Sequence, residues 1–360
     1  MLKVNYINRF MLFVCTPFLG MLIWLLLSSA SIQLTSAELQ SEANKPEAIT
    51  FSREHERLIK QLNLAEATAV HTQQSIHKQL KLYNETNATM KQIAKTTREQ
   101  ANRPLQIYDK KITSKLGKPV STIEGKNMRA QLFYNHQEQY RSYLVKIKLK
   151  TDDAMKMVLG GDELGKANTT LAAVKQHKAA VGINAGGYAD SKGKRYPIGT
   201  TIVDGEYSNG GFAATYADLA FVGMSKNNKL IGGKFSNQQQ LDKLKPKFGA
   251  TFVPVLMKKG VAQTIPEKWK TTPARAPRTV IANYKDDQLL LLVTDGYNKG
   301  GNGAGATLAE VQSSLKKFGV VDSYNLDGGG STTLVFNGKL INNPADGQLR
   351  KLPTHFLFFK

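Results

Sequence analysis

The sequence has one cysteine and few histidines, and both shortages restrict the chemistry it can carry. Cys15 lies in an apolar run near the amino terminus, so the rest of the chain can form no internal disulfide and has no cysteine nucleophile. In the β-rich part of the sequence, only His136, His177 and His355 remain as candidate bases or ligands. This scarcity disfavours a zinc site and a serine hydrolase triad.

Three further signatures are missing. No Gly-Lys-Ser or Gly-Lys-Thr follows Gly303 or Gly305, which disfavours a nucleotide-binding P-loop. Ser331 lacks the Gly-x-Ser-x-Gly elbow of serine hydrolases. A dinucleotide-binding unit would need its glycines directly after a strand, but residues 294–300 separate the apolar run at 289–293 from the next Gly-x-Gly.

Acidic residues are scarce relative to basic ones. There are 28 Asp and Glu residues against 49 Lys and Arg, which gives a formal net charge of +21 and predicts an anionic partner. Residues 10–27 form an uncharged apolar run that follows Lys3 and Arg9 and is just long enough to span a bilayer. The positive-inside rule then places the amino terminus in the cytoplasm and the rest outside, which disfavours nucleic acid as the partner.

Residues 1–36 are therefore predicted to anchor a single-pass protein of the cell membrane, with everything after them extracytoplasmic. The alternative is a cleaved signal peptide and a secreted protein, because residues 28–30 and 35–37 resemble small-residue cleavage sites.

Residues 37–103 are predicted to form a helical stalk, since no glycine or proline interrupts residues 49–101. Apolar residues recur there at every seventh position. They are Leu62, Ala69, Ile76, Tyr83 and Met90. Their companion positions are mostly polar, so the seam is weak, but it allows a coiled coil and self-association through the stalk. Pro104 predicts the end of the helix after Arg103 and a linker at 104–118.

Residues 119–360 are predicted to form an α+β domain with mixed, largely antiparallel β-sheets flanked by helices. The pattern predicts strands near 144–150, 179–184, 289–293 and 320–326, and helices over 168–178 and 308–318. From Leu144 onward apolar and basic residues alternate, which is typical of a strand with one solvent-facing side.

Polar side chains and glycines cluster where four of these strands end. The candidates are Asn184, Gly186, Gly187, Arg278, Thr279, Asp295, Gly296, Asn325, Asp327, Gly328, Gly329, Gly330 and Ser331. Glycine lets backbone amides approach an anion, and Arg278 could bind a phosphate through two hydrogen bonds. Asp327 and Asp295 are the candidate acid, base or nucleophile. Any one segment could be an ordinary turn, but three consecutive glycines exceed what a turn needs.

The order of these segments resembles the phosphodiester glycosidase family, which includes the mannose 6-phosphate uncovering enzyme and bacterial exopolysaccharide-associated proteins. The resemblance covers about residues 122–359. It rests on GINAGGYAD at 182–190, PIGTTIVDGE at 197–206, PRTVIA at 277–282, LLLVTDGY at 290–297, the segment 305–338 with NLDGGGSTT, and a closing Arg350. The loop at 191–196 is shorter than the glycine-rich insert of bacterial members.

The resemblance implies a hydrolase that cleaves the glycosidic bond of a sugar-1-phosphodiester in a cell-surface or exopolysaccharide glycopolymer. Asp327 or Asp295 would be nucleophile or base, and Arg350 would bind substrate. Arg278 and the amides of residues 328–330 would hold the phosphate, and Asn184 would contact the sugar or phosphate.

Two alternatives stay open at this point. One is a phosphodiesterase that cuts the P–O bond. The other is a non-enzymatic envelope protein that binds anionic polysaccharide through lysine-rich strands such as 145–150. No cofactor is required for the hydrolysis, although the Asp side chains leave room for weakly bound Ca²⁺ or Mg²⁺.

Overall fold

The computed structural model describes residues 48–137, 139–216, 218–296 and 305–360. The strands in this part of the chain are β1 (Ser121–Glu124), β2 (Met128–His136), β3 (Arg141–Leu149), β4 (Met155–Leu159), β5 (Val181–Asn184), β6 (Tyr188–Ser191), β7 (Lys194–Pro197), β8 (Thr201–Val203), β9 (Glu206–Ser208), β10 (Ala220–Ser225), β11 (Leu230–Gly233), β12 (Pro246–Phe252), β13 (Val255–Lys258), β14 (Val261–Ala262), β15 (Arg278–Asn283), β16 (Leu289–Thr294), β17 (Asp322–Asn325), β18 (Leu334–Phe336), β19 (Lys339–Leu340) and β20 (Thr354–Phe358). The helices are α1 (Ala48–Leu116), α2 (Thr170–Gln176), α3 (Gln238–Asp242), α4 (Glu267–Thr271) and α5 (Leu308–Phe318).

The strands form a large sheet, two smaller sheets and a hairpin. The large sheet has eight strands in the order β1-β2-β3-β16-β15-β17-β13-β14. The two five-stranded sheets run β11-β10-β12-β8-β9 and β19-β18-β5-β20-β4, and β6 pairs with β7. Each pairing among the described strands is antiparallel, so the α+β class is confirmed but the sheets are not mixed.

Apolar side chains on the two faces of the eight-stranded sheet enter different cores. Alternate residues of a strand point to opposite faces, so Val145 and Leu144 of β3 are buried in separate clusters. The first cluster lies against the five-stranded sheets and includes Phe356 of β20. The second is covered by helices and includes Leu315 of α5 and Ile112 of α1.

Helix α5 begins and ends where its sequence signals predict. The Thr307 hydroxyl accepts a hydrogen bond from the Glu310 N–H, and the Glu310 carboxylate accepts one from the Thr307 N–H, which completes a capping box. Gly319 ends the helix in the left-handed conformation, with φ 81°. Helix α2 is likewise capped by Thr169, whose hydroxyl accepts from the Ala172 N–H at 3.1 Å.

The predicted end of the long helix at Arg103 is wrong. Helix α1 continues through Pro104 to Leu116. Its last turns pack on the eight-stranded sheet, where Ile112 is 2% exposed and Leu116 6%. Burial of this apolar face outweighs the hydrogen bond that proline cannot donate. Residues 104–116 are therefore helix rather than linker, and the contacts within the chain group them with the unit Gln92–Lys360.

The predicted solvent-facing side of β3 is also wrong in its centre. The Lys146 side chain is only 3% exposed, because α1 covers it. Its Nζ donates to Asp109 Oδ1 at 2.7 Å and to Thr113 Oγ1 at 2.6 Å. Lys146 is thus unavailable as part of a surface for binding polysaccharide.

Two earlier predictions remain outside what the structure tests. The apolar run at 10–27 lies outside the described residues, and no helix among those that are described is long and apolar enough to cross a membrane. The heptad side chains of α1 are exposed in the single chain, with Leu62 at 65% and Met90 at 63%, so the coiled coil stays a prediction.

Candidate active site

Asn184 ends β5 and joins the two sheets that meet at the candidate site. Its side-chain amide donates to the carbonyl oxygen of Asp327 at 2.6 Å. Its Oδ1 accepts from the Thr279 hydroxyl at 2.8 Å and from the Thr333 N–H at 3.1 Å. The Asn184 side chain is fully buried and its polar atoms are engaged with the protein. It therefore positions Asp327 rather than contacting the sugar or phosphate.

Asp327 follows β17 and carries the carboxylate on which the site is centred. Its Oδ1 accepts from the Gly328 N–H at 3.0 Å, whereas its Oδ2 is shielded from solvent and has no hydrogen-bond partner in the described part of the chain. Burial raises the pKa of Asp327 to about 6, although the Ser331 side chain, the Gly328 amide and two arginine charges act to lower it. A carboxylate with one unpaired oxygen and a raised pKa is typical of a catalytic group.

The two arginines are Arg350 and Arg195, and they come from different segments. Both lower the pKa of Asp327 through their charges. The Arg350 Nη1 lies 3.4 Å from the Ser331 Oγ, and the Arg195 guanidinium lies 4.1 Å from the centre of the Tyr188 ring. Their side chains are 33% and 25% exposed. Both guanidiniums are therefore open enough to solvent for their positive charges to attract an anion.

Ion pairs hold both arginines in place. The Arg350 Nη2 donates to Asp346 Oδ2 at 2.5 Å. Arg195 donates to both carboxylate oxygens of Asp190, at 2.7 and 2.8 Å, and to the carbonyl oxygen of Lys351 at 2.5 Å. Pairs that are partly open to water contribute little stability, so their main effect here is orientation.

The glycine segment is explained partly by packing. A Cβ at Gly330 would lie 2.1 Å from the Arg350 Nη2 and 2.0 Å from Asp346 Oδ2, so only glycine allows this ion pair to rest on the segment. Gly329 has φ 59°, a left-handed conformation, and open space beside it.

The predicted cradle of amides is largely occupied by internal hydrogen bonds. The Gly328 N–H donates to Asp327 and the Gly329 N–H to the Pro277 carbonyl oxygen at 2.8 Å. The Gly186 N–H donates to the Thr354 hydroxyl and the Gly187 N–H to the Thr251 carbonyl oxygen. Their location next to Asp327 agrees with the prediction, but these four amides are not open phosphate donors.

The remaining predicted side chains support the site from behind. Asn325 donates from Nδ2 to the Val253 carbonyl oxygen at 2.6 Å, and its N–H donates to the Pro254 carbonyl oxygen at 3.1 Å. A Cβ at Gly296 would lie 2.6 Å from the Pro277 ring, so glycine is needed for the end of β16 to pack against the start of β15.

Asp295, the second candidate aspartate, is already engaged on both oxygens. The Tyr143 hydroxyl donates to its Oδ2 at 2.6 Å and the Asn343 N–H to its Oδ1 at 2.9 Å. Burial raises the pKa of Asp295, and the hydrogen bonds from Tyr143 and Asn343 oppose that rise. Asp295 therefore ties the segment after β19 to the eight-stranded sheet, and of the two candidate aspartates only Asp327 has an unpaired carboxylate oxygen.

Arg278 does not place its guanidinium at Asp327, contrary to the expectation of convergence. Its Nε donates to the Ala306 carbonyl oxygen at 3.0 Å and its Nη2 to the Pro273 carbonyl oxygen at 3.0 Å. The side chain is 4% exposed. Arg278 joins the segment that precedes β15 to the segment that precedes α5, whereas the cations whose charges act on Asp327 are Arg350 and Arg195.

The sequence pointed to only one of these two arginines. Arg350 stood out as the closing residue of the ordered segments, whereas Arg195 and Tyr188 were missed as site residues. Arg195 lies in the β6–β7 hairpin, where arginine is ordinary on a solvated surface. Its only signal was the proximity of its loop to the GINAGGYAD segment.

The described residues contain no group of three or more His, Cys, Asp or Glu side chains that could hold a metal. The cluster around Asp327 brings together its carboxylate, the Ser331 hydroxyl, the Tyr188 ring and the guanidiniums of Arg195 and Arg350. Such a set can stabilise positive charge on one side of a breaking bond and negative charge on the other.

A comparison with protein families identifies one that covers half of the chain. The phosphodiester glycosidase model matches residues 177–359, about half of the chain. Human N-acetylglucosamine-1-phosphodiester alpha-N-acetylglucosaminidase is 42% identical over 69 residues, which are 19% of this chain and 13% of that protein. The Bacillus subtilis (strain 168) SPbeta prophage-derived uncharacterized protein YomE is 27% identical over 184 residues, which are 50% of this chain and 28% of YomE.

The fold has a counterpart among solved structures. The zebrafish N-acetylglucosamine-1-phosphodiester alpha-N-acetylglucosaminidase catalytic domain, auto-inhibited by its pro-peptide, superposes with a TM-score of 0.54 at 22% identity. The match covers 68% of this chain and 87% of the zebrafish domain. At this identity the likeness supports the fold.

Proposed function

Since the chain belongs to the phosphodiester glycosidase family, as the ordered segments predicted, we propose that it hydrolyses the bond between a sugar's anomeric carbon and a phosphodiester oxygen. One observation carries the proposal: the Asp327 carboxylate has an unpaired oxygen next to two partly exposed arginines. The roles of Asp327, Arg195, Arg350 and Ser331 are parts of this proposal.

The proposed chemistry divides the charge of the transition state between the two kinds of group. Ionised Asp327 faces the positive charge that develops at the anomeric carbon, either as nucleophile or as the base that activates water. Arg195 and Arg350 stabilise the departing phosphate. Ordinary glycosidases need a protonated carboxylic acid because an alkoxide leaves poorly. A phosphodiester already leaves as a weak base, so a single carboxylate suffices.

N-acetylglucosamine-1-phosphodiesters are the first substrates to test, because the human and zebrafish relatives carry that substrate in their names. We further propose that the natural substrate is a glycopolymer outside the cytoplasm. The net charge of +21 and the apolar run at residues 10–27 favour this setting.

The decisive experiment incubates the full chain with the methyl phosphodiester of N-acetylglucosamine-1-phosphate and measures free sugar. Asp327→Asn should lower kcat by at least about a hundredfold, because a neutral amide can neither attack nor accept the proton. Asp242→Asn, which changes an exposed carboxylate bonded to Tyr207, is the matched control and should retain activity. Release of sugar at equal rates by wild type and Asp327→Asn would refute the assignment.

Cleavage in ¹⁸O-labelled water separates this function from a phosphodiesterase. Attack at carbon places the label in the released sugar, whereas attack at phosphorus places it in the released phosphate ester. If wild type releases no sugar from a panel of sugar-1-phosphodiesters yet binds anionic polysaccharide, the non-enzymatic alternative replaces the proposal.

A further inference from the structure

A basic cavity of about 770 Å³ lies beside the candidate active site and is not used by the proposed reaction. It is formed by the segment after β4, the β6–β7 hairpin and Lys351. The Arg195 N–H donates to the Gly165 carbonyl oxygen at 3.1 Å, which holds the hairpin against the first of these segments.

Cations outnumber anions on the cavity wall. Four basic side chains line it, against two carboxylates: Lys166, Lys194, Arg195 and Lys351 face Glu163 and Asp190. Glu163 pairs with Lys166 at 2.6 Å and Asp190 with Arg195 at 2.7 Å. The balance of four cations and two anions leaves two positive charges, which favours an anionic ligand.

Two structural links join the cavity to Asp327. Arg195 belongs to both places, because it lines the cavity and its charge acts on the Asp327 carboxyl. Lys351 directly follows Arg350, so adjacent residues of one segment serve the cavity and the active site. A ligand long enough to reach from one to the other would pass Arg195.

We propose that this cavity binds a second phosphate of the substrate, one repeat away from the phosphodiester that is cleaved. The proposal rests on the function proposed above and makes its substrate class specific: a polymer with a phosphodiester in successive repeats. Lys194 and Lys351 hold the second phosphate, while Arg195 lies between the two phosphate positions. Neither lysine belongs to the cluster around Asp327, so the cavity contributes to substrate binding and not to bond cleavage.

Two synthetic probes test the proposal. The first is the methyl phosphodiester of N-acetylglucosamine-1-phosphate, with one phosphodiester. The second joins two such units and has two. The double variant Lys194→Gln/Lys351→Gln should raise KM for the second probe about tenfold, as two exposed ion pairs are lost, and change KM for the first by less than about twofold. High salt should reduce the preference of wild type for the second probe.

The matched control is Lys316→Gln/Lys317→Gln, which removes two charges from the exposed last turn of α5 and should leave both KM values unchanged. Equal KM changes for both probes, or none for the second, would overturn the proposal.

Binding of the second probe to Asp327→Asn by calorimetry, with and without the two lysine changes, gives an independent readout. If wild type cleaves neither probe but the lysine changes still weaken binding, the proposed reaction fails and the phosphate site stands.

Discussion

The Asn184 side-chain amide donates a 2.6 Å hydrogen bond to the Asp327 carbonyl oxygen and thereby joins two sheets behind the Asp327 carboxylate. Its oxygen accepts from Thr279 and Thr333, so one side chain fixes three segments. A buried amide side chain whose N–H and oxygen are both hydrogen-bonded favours one arrangement of the segments around it, because any other arrangement leaves a polar atom unpaired.

Asn184→Asp should therefore lower the free energy of unfolding by about 3 kcal/mol, because a buried carboxylate would face the Asp327 carbonyl oxygen without a proton to donate. Thr279→Val removes one donor but leaves Thr333 on the Asn184 oxygen, and should cost about 1 kcal/mol. Urea unfolding of both variants at pH 7 measures the difference. An equal loss of stability in the two variants would contradict the prediction, because it would show that the hydrogen bond from the Asn184 amide to Asp327 contributes no more than the one from Thr279.

Asp327→Asn should increase stability at neutral pH while it abolishes activity. Burial raises the folded-state pKa of this carboxyl from its ordinary value of 3.8 to about 6, so the fold favours the protonated form. Ionisation therefore costs stability as pH rises from about 4 to 6, and the cost persists above pH 6. The uncharged amide in Asp327→Asn avoids this cost, so the free energy of unfolding of the variant should exceed that of wild type by on the order of 2 kcal/mol. Urea unfolding should show this gain at pH 7.5 and little of it at pH 4; a loss at pH 7.5 would contradict the prediction.

The pH profile of kcat/KM should report the same carboxyl. If ionised Asp327 reacts, kcat/KM falls as pH drops below about 6. Arg350→Gln removes a charge that lowers the pKa of Asp327, so the midpoint should move to higher pH. Arg350→Lys keeps the charge and should keep the midpoint, although both variants bind phosphate less well. The same midpoint in both variants would show that the Arg350 charge does not act on Asp327.

Residues whose structure depends on local signals were predictable, whereas side-chain directions set by distant segments were not. Thr307, Glu310 and Gly319 define α5 within one stretch of sequence, and its observed bounds match the prediction. The direction of Arg278 depends on the carbonyl groups of Pro273 and Ala306, which the alternation of β15 does not reveal.

The same contrast explains the changed roles of two other basic residues. The pattern of β3 gave no sign that α1 would cover Lys146, because that packing joins segments far apart in the chain. Arg195 resembled any surface arginine until the hairpin placed its charge near Asp327. Asp327 could be selected as a candidate because the glycine-rich segment that follows it is contiguous in sequence.

Arg278→Gln should impair folding stability far more than substrate binding. Its loss leaves the Pro273 carbonyl oxygen without the Arg278 donor and leaves the Ala306 carbonyl oxygen with only the Ala276 N–H, which should lower the free energy of unfolding by about 2 kcal/mol. KM measured on the folded protein should change less than about threefold, within the small effect expected of a residue that does not touch the substrate. Unchanged stability with a large rise in KM would restore Arg278 to the phosphate site.

His355 should make the protein less stable as pH falls below about 6.5. Its side chain is fully buried between the Thr170 hydroxyl and the Asn168 side-chain oxygen, at 3.0 and 2.8 Å. Burial lowers the folded-state pKa to about 3, so between that value and 6.5 the unfolded chain binds a proton that the folded chain does not. Stability should fall by about 1.4 kcal/mol per pH unit through this window.

His355→Gln should be less stable than wild type at pH 7, but its free energy of unfolding should no longer contain this pH-dependent contribution. Asp327 contributes a slope of opposite sign to both proteins, so subtracting one free energy of unfolding from the other at each pH removes that slope. Urea unfolding from pH 4.5 to 7.5 measures this difference, with His136→Gln as the control because that histidine is exposed. Parallel slopes for wild type and His355→Gln would show that this buried imidazole accepts a proton in the folded state, and that the Asn168 and Thr170 contacts can adjust to hold the charged ring.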